Sequence, residues 1–500
     1  TKKGNRKSEF TLREAEMWGA ASKALKGFKY PLEAIDEAWK GVLLNQFHDI
    51  IPGSSINRVY EEAEALYGNV IKTAKETICN AVSEITENSK AVTVFNSLSW
   101  ERAELIELPI DMEGALDSKG DPVPVQVIDG KPFAEVKVPS CGWITLKPGE
   151  SRSIASSVGA GERLLENELL KIEFNDKGEI TSIFDKEANR EIAAGECNSF
   201  HMYKDIPTVY DAWDIDSMYR LSPIELNEKA TFKILCSGPL VAKIQINRKL
   251  NQSFMTQEIS LRRGSRRVEF KTSIDWQESH KLLKVAFPVN VHSNEAVHEI
   301  QFGHIKRPNH RSRKYDDDRF EVCNHKWTAL MEGNCGFAVL NDCKYGVNVS
   351  GNSINLTLLK SPMAPDMTAD RGLQEFTYGF YAWNGSFADC NVIREAYELN
   401  SPVYSTLGDA GEKSLFVLDK DNIVIEAVKP AEDGSDDIVV RMYETKRMTV
   451  NCALSTTLPV AGAALNDMQE TGGTGLVYGN GRINLSFRPF EIKTLRLKLG

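Results

Sequence analysis

The chain opens with apolar residues spaced for helices. Phe10, Ala15, Trp18, Ala21 and Leu25 recur on one side of a 3.6-residue period. Gly27 breaks that run, and Pro31 suits the first position of a second helix, where a missing N–H costs nothing. The second helix carries Ile35, Ala38, Trp39, Val42, Leu43, Gln46 and Phe47 along one side. An HDIIPG turn follows, and Ser54 or Ser55 is placed to cap a third helix. Its stripe runs from Ile56 through Val59, Tyr60, Ala63, Leu66, Val70, Ile71, Ala74, Ile78 and Val82 to Ile85. Three amphipathic helices with short connections predict an antiparallel bundle over residues 1–88.

Past Ser89 the period shortens to two. AVTVFNSLSW, PVPVQVI, AEVKV and GWITLKP are short β-rich runs divided by Pro, Gly, Asn and Asp. The same texture continues to the C-terminal INLSFRPFEIKTLRLKL. In FNDKGEITSIFD, Asp176-Lys177-Gly178 gives turn chemistry between two alternating strands, which predicts a hairpin. With no helical crossovers between strands, the sheets are expected to be antiparallel sandwiches. The fold class is therefore α+β and multidomain, a three-helix bundle followed by large antiparallel β-sandwich domains. A Gly-rich spacer at 156–162 and a break near 400–411 suggest a small β-domain at 89–158, a large sandwich at 159–400 and a C-terminal β-domain at 401–500.

Composition is ordinary for a globular protein, with 42% apolar and 26% charged residues. A formal charge of −10 gives no basic footprint for nucleic acid. The HIKRPNHRSRK run is followed at once by an acidic DDD and reads as a mixed-charge loop. No apolar run approaches the roughly 20 residues of a membrane span. TKKGNRKSEF does not have the apolar core of a signal peptide. Nine scattered cysteines without a CxxC argue against a disulfide framework and a structural zinc site, and point to a reducing, cytoplasmic location.

Three stretches could carry chemistry. His48 and Asp49, in LLNQFHDIIPGSSI, stand at the mouth of a turn between two helices. An imidazole beside a carboxylate can bind metal or sugar hydroxyls, and it can equally be a polar helix end. One histidine is not a metal site, and no second histidine lies four residues away. DIPTVYDAWDID interleaves four acids with Tyr210 and Trp213. That mixture suits a sugar, whose C–H groups meet aromatic faces while its hydroxyls meet carboxylates, and it equally suits a surface loop anchored by its aromatics. RFEVCNHKWTAL places His325 near Trp327 in a strand pattern, where a packed core histidine is the default, and PDMTADRG sets Asp370 and Arg371 in a loop, where functional side chains concentrate. A facing carboxylate pair would mark a glycosidase, but spacing alone selects none from seventy acidic residues.

AWKGVLLNQFHDIIPGSSINRVY resembles the central motif of the glycoside hydrolase family 38 α-mannosidases. TKKGNRKSE resembles the segment leading into that family's helical bundle. YDAWDID, RFEVCNHKW, LNDCKYG and the LLKSP…PD…ADRG…FTY series resemble its large β-domain, in the same order. The resemblance implies a retaining hydrolase that removes terminal α-D-mannosyl residues from oligosaccharides with the help of a divalent cation, most often zinc. It implies that His48 is a metal ligand and Asp49 a mannose contact, and it brings Arg371 close to the substrate. Gln374 departs from a histidine common in that stretch, which leaves the role of that side chain open. The nucleophile, the acid/base and most metal ligands would come from an N-terminal α/β domain with no counterpart here. The chain by itself would then hold no catalytic residue and be inactive. A homo-oligomer stays open. The other reading is a non-catalytic carbohydrate-binding or assembly module, for which a metal ligand would serve no purpose.

Overall fold

The computed structural model describes residues 1–500. Its helices are α1 (Lys2–Lys26), α2 (Leu32–Asn45), α3 (Asn57–Ile85) and a short α4 (Val392–Asn400); the rest is almost entirely strand and turn. All the strand ladders are antiparallel, as the absence of long crossovers implies. The protein is α+β and multidomain, with a helical N-terminal region ahead of β-sandwich sheets.

The chain forms two compact units. One gathers residues 1–6, 45–65 and 155–400; the other gathers 7–44, 66–154 and 401–500. In the second unit the three helices bury Leu12, Trp18, Ile35, Val42, Val70, Ala74, Ile78 and Val82. These belong to one core with strand residues such as Phe95, Trp143, Ile425, Met442 and Leu497. Small residues permit the close approach of helices. A Cβ at Gly41 would meet the Leu66 side chain at 3.1 Å.

The first unit is built on a nine-stranded and a six-stranded sheet. Strands such as Ser253–Arg262 and Arg267–Trp276 alternate buried and exposed residues along their length. Their inward residues, among them Ile259, Phe270 and Ile274, share a core with Val285, Phe287, Leu356 and Phe337. The expected hairpin is present. Leu170–Phe174 pairs with Ile180–Asp185, and Gly178 takes φ +81°, which suits glycine.

Several local expectations need correction. α1 begins at Lys2, ahead of the apolar stripe that starts at Phe10. Pro31 precedes α2, and its carbonyl accepts the Ile35 N–H at 3.1 Å, so it caps the helix from outside. Leu43 and Phe47 are exposed rather than packed along the buried side of the second helix. Neither Ser54 nor Ser55 caps α3, because both hydroxyls turn back to the Asp49 carbonyl. The HIKRPNHRSRK run is part strand, Gly303–Pro308, and Asp316 after it is buried against Arg313. α4 was not expected from the pattern.

Three loops leave the same end of the first unit's two sheets. Residues 205–218 follow Ser199–Lys204; residues 277–280 join Arg267–Trp276 to Lys281–Pro288; residues 361–371 join Ser353–Lys360 to Gly372–Asn384. The register fixes this, because Lys204 pairs with Lys281, Leu282 with Lys360, and Trp276 with Gly372.

Candidate functional site

The turn after α2 is held from several sides. The Ile50 and Ile51 N–H groups both donate to the Phe47 carbonyl, at 2.9 and 3.1 Å. Gly53, at φ +100°, reverses the chain in a conformation that L side chains rarely adopt. Lys2 Nζ donates to the Pro52 carbonyl at 2.8 Å. Ser55 Oγ donates to the Asp49 carbonyl at 2.5 Å, and the Ser55 N–H donates to Tyr60 Oη at 2.5 Å. The serines of PGSS therefore hold the turn by way of Asp49's backbone and leave its carboxylate outside this bonding.

The side chains so presented face outward. His48 is 70% exposed and Asp49 54%, with His48 Nε2 3.5 Å from Asp49 Oδ2. Phe47 packs on the imidazole with centroids 4.4 Å apart, and Trp213 approaches it at 6.2 Å with ring planes at 83°. The first two sequence stretches, 165 residues apart in the chain, thus meet at His48.

The loop that delivers Trp213 is tightly bonded. Lys360 pairs with Asp205, whose Oδ1 accepts the Asp216 N–H at 2.8 Å. Asp211 Oδ2 accepts the Met363 and Ala364 N–H groups at 2.6 and 3.2 Å and bonds His280 Nε2 at 3.0 Å. Burial works against ionisation of Asp211, yet the Met363 N–H and His280 hold its carboxyl below the usual range. Between these anchors, the Tyr210 carbonyl accepts the Trp213 and Asp214 N–H groups at 2.8 and 2.9 Å. Tyr210 itself sits at φ +57°, an uncommon conformation for a side chain of that size. The acids of DIPTVYDAWDID divide in role. Asp205 and Asp211 brace the loop, while Asp214 is exposed beside Trp213.

The third stretch joins the same cluster. Asn57 Nδ2, at the start of α3, donates to Thr368 Oγ1 at 3.3 Å. Arg371 donates to Ser279 Oγ, next to His280, and its Nη2 lies 3.9 Å from Met363 Sδ. Gln374 Nε2 donates to the Asp370 carbonyl at 3.1 Å and so closes the ADRG turn. His325 stands apart from this group. It packs edge-on against Tyr345 at 5.3 Å, and burial with Arg6 nearby lowers its pKa to about 4. It behaves as a packed histidine.

Sequence reasoning missed Phe47, read there as helix core, and the brace from Lys2. The one available signal was an aromatic directly before a candidate ligand at a helix end. His48 and Asp49 are chemically able to bind a cation, the first through an imidazole nitrogen and the second through a carboxylate oxygen. No group of three or more His, Cys, Asp or Glu side chains stands ready to hold a metal ion. The donors present therefore fit part of a metal site and not a whole one.

Residues 1–85 match the alpha mannosidase middle domain. Residues 165–368 match the glycosyl hydrolases family 38 C-terminal domain, and residues 422–495 the C-terminal beta sandwich domain of that family. The human protein alpha-mannosidase 2C1 is 34% identical over 522 residues, a match covering 100% of this chain and 49% of that protein. Alpha-mannosidase G of Dictyostelium discoideum is 32% identical, with 99% of this chain and 51% of that protein covered. The alpha-mannosidase of Saccharomyces cerevisiae is 30% identical, with 99% and 47% covered. The chain thus spans about half the length of these relatives. The crystal structure of an alpha-mannosidase from Enterococcus faecalis V583 superposes with a TM-score of 0.84 at 18% identity, covering 99% of this chain and 67% of that one, which speaks for the fold. With its middle and both C-terminal domains matched in order along the chain, this protein belongs to glycosyl hydrolases family 38.

Proposed function

We propose that this chain is the middle and C-terminal portion of a retaining, metal-dependent α-mannosidase that releases terminal α-D-mannosyl residues from oligosaccharides or glycans. The observation that carries this reading is the braced turn that holds His48 and Asp49 outward with too few donors around them for a metal site of their own. A side-chain pair fixed so firmly yet left open is suited to a partner that completes it.

His48 would hold the cation, zinc by preference, through an imidazole nitrogen, with Phe47 packed on its ring and limiting its rotation. Asp49 would accept hydroxyl hydrogens of mannose, and Arg371 would lie near the sugar. The bound cation would polarise mannose hydroxyls and orient the ring. Retaining hydrolysis needs two carboxyl groups about 5–5.5 Å apart, one as nucleophile and one as acid/base. In this proposal both belong to the N-terminal α/β portion of the enzyme, as do the remaining metal ligands. Exposed Phe47, Ile56, Val209, Met367 and Leu373 on the clustered segments suit a surface covered by that portion. No helix is long and apolar enough to cross a membrane. The nine free cysteines suit a cytoplasmic enzyme in the proposal.

The test is His48→Ala in this chain joined to such an N-terminal portion. His48 is exposed, so stability should change by less than about 0.5 kcal/mol. Zinc content should fall and turnover should drop steeply, with partial rescue by excess zinc. Unchanged zinc and turnover would reduce His48 to a helix terminator and sink the proposal.

A further inference from the structure

We infer that Trp213 is the aromatic wall of the sugar subsite at His48 and Asp49, a substrate-binding residue supplied by the large β-sandwich; the inference rests on the functional reading above. Three observations converge on it. Trp213 stands 6.2 Å from the His48 ring, so whatever engages His48 and Asp49 lies next to the indole. Its side chain is about half exposed, at 52%, and so keeps free apolar area beside that pair. Its N–H donates to the Tyr210 carbonyl, and Asp205 and Asp211 brace the loop on either side through the Asp216 and Met363 N–H groups. A tryptophan that merely filled surface would need no such bracing.

A hexose has two demands. Its hydroxyls need acceptors, and its patch of ring C–H groups needs an apolar, electron-rich surface. Asp49 meets the first, and a fixed indole meets the second. The DIPTVYDAWDID loop then has a division of labour. Asp205 and Asp211 build the support, Tyr210 makes the turn, and Trp213 makes the contact. Asp211 reaches the loop that carries Arg371 by way of the Met363 and Ala364 N–H groups. Trp213 and Arg371 are therefore positioned by one shared brace.

The experiment compares Trp213→Ala and Trp213→Phe in the joined enzyme. Zinc per chain, melting temperature, KM and kcat for an aryl α-mannoside, and inhibition by free D-mannose are measured. Trp213→Ala should keep its zinc and its melting temperature. Its KM and its inhibition constant for mannose should both rise by about tenfold, equivalent to about 1.4 kcal/mol of lost contact. Trp213→Phe, which retains an aromatic face, should recover most of the affinity. Unchanged KM and mannose inhibition in the alanine variant would overturn the inference. So would loss of zinc in parallel with affinity, since Trp213 would then only hold His48. Equal damage in the phenylalanine variant, with a lowered melting temperature in both, would overturn it in favour of simple packing. The underlying reading fails by a different result, a His48→Ala enzyme that keeps zinc and turnover.

Discussion

At the scale of single residues, the candidate site is an imidazole and a carboxylate at the end of α2 with an indole from a distant loop beside them. His48, Asp49, Trp213 and Arg371 all stand out by type and setting, as an imidazole and a carboxylate at a helix end, an aromatic among acids, and an arginine in a loop. Nothing local announces that His48 and Trp213 touch, because that contact depends on sheets assembled from distant strands. Nor could spacing tell which acids of DIPTVYDAWDID face solvent. Asp211 is the instructive case. Three partners converge on one carboxylate oxygen, so it is a structural acid inside a stretch that looks like a binding loop. Asp211→Ala should leave the Met363 N–H without its acceptor and cost about 1–3 kcal/mol. The pH dependence has a definite sign. The folded-state pKa lies below the ordinary value of 3.8, so the stabilisation by ionised Asp211 is complete above about 3.8 and is lost as pH falls through the lower, folded value. Thermal melts of wild type and variant should differ by a constant amount at neutral pH and converge in strong acid. A gap that persists undiminished into that range would show that the carboxylate's charge contributes nothing.

At the scale of elements, long periodic stretches were legible and short or two-faced ones were not. α3 follows its stripe over eight turns, and residues from Ala63 to Ile85 bury as the period requires. α2 departs at its end. The period carries Leu43 and Phe47 toward the core, yet both are exposed, and Phe47 instead packs on the neighbouring imidazole. The caps failed for a chemical reason. A serine side chain has several rotamers, and here both hydroxyls turn to donate to the Asp49 carbonyl instead of presenting their oxygens to the first N–H groups of α3. α4 has only nine residues, too few for its stripe of Val392, Ile393, Ala396 and Tyr397 to stand out among strands. The sheets add constraints that no period shows. Gly142 opens the strand Gly142–Pro148 and sits between Asn96 and Ser414 of its neighbours. A Cβ there would fall 2.0 Å from the Lys413 carbonyl oxygen, and backbone cannot swing aside as a side chain can. Gly142→Ala should therefore destabilise the protein by at least about 1–3 kcal/mol. Chemical denaturation would show it as a lower midpoint, and an unchanged midpoint would mean that the two strands separate without loss.

At the scale of the whole molecule, the pattern along the chain shows consecutive stretches, whereas packing joins distant ones. Residues 45–65 belong to the same compact unit as 155–400, which is how a helix-end histidine comes to lie among sandwich loops. That arrangement explains both what the site has and what it does not. The first unit brings together the His48 imidazole, the Asp49 carboxylate and the rings of Phe47 and Trp213, and gathers no set of three metal donors. Zinc held by one imidazole and one carboxylate falls short of the four ligands of a stable protein site, so binding should be weak. Hydrolysis by the retaining route should fail as well, because the proposal assigns both carboxyl groups of the catalytic pair to the N-terminal portion. The isolated 500-residue protein should consequently fold, bind zinc no more tightly than about the micromolar range, and release no detectable product from an aryl α-mannoside. Joining it to an N-terminal portion of the family should restore both properties together. The measurements are zinc titration by calorimetry and product release by absorbance, each on the isolated and the joined protein. Tight zinc binding by the isolated chain that disappears in His48→Ala would mean that further ligands lie within it. Turnover blocked by an active-site-directed inhibitor would mean that it carries its own carboxylate pair. Either result would move the catalytic centre into the two units described here and overturn the division of the site between two parts of the enzyme.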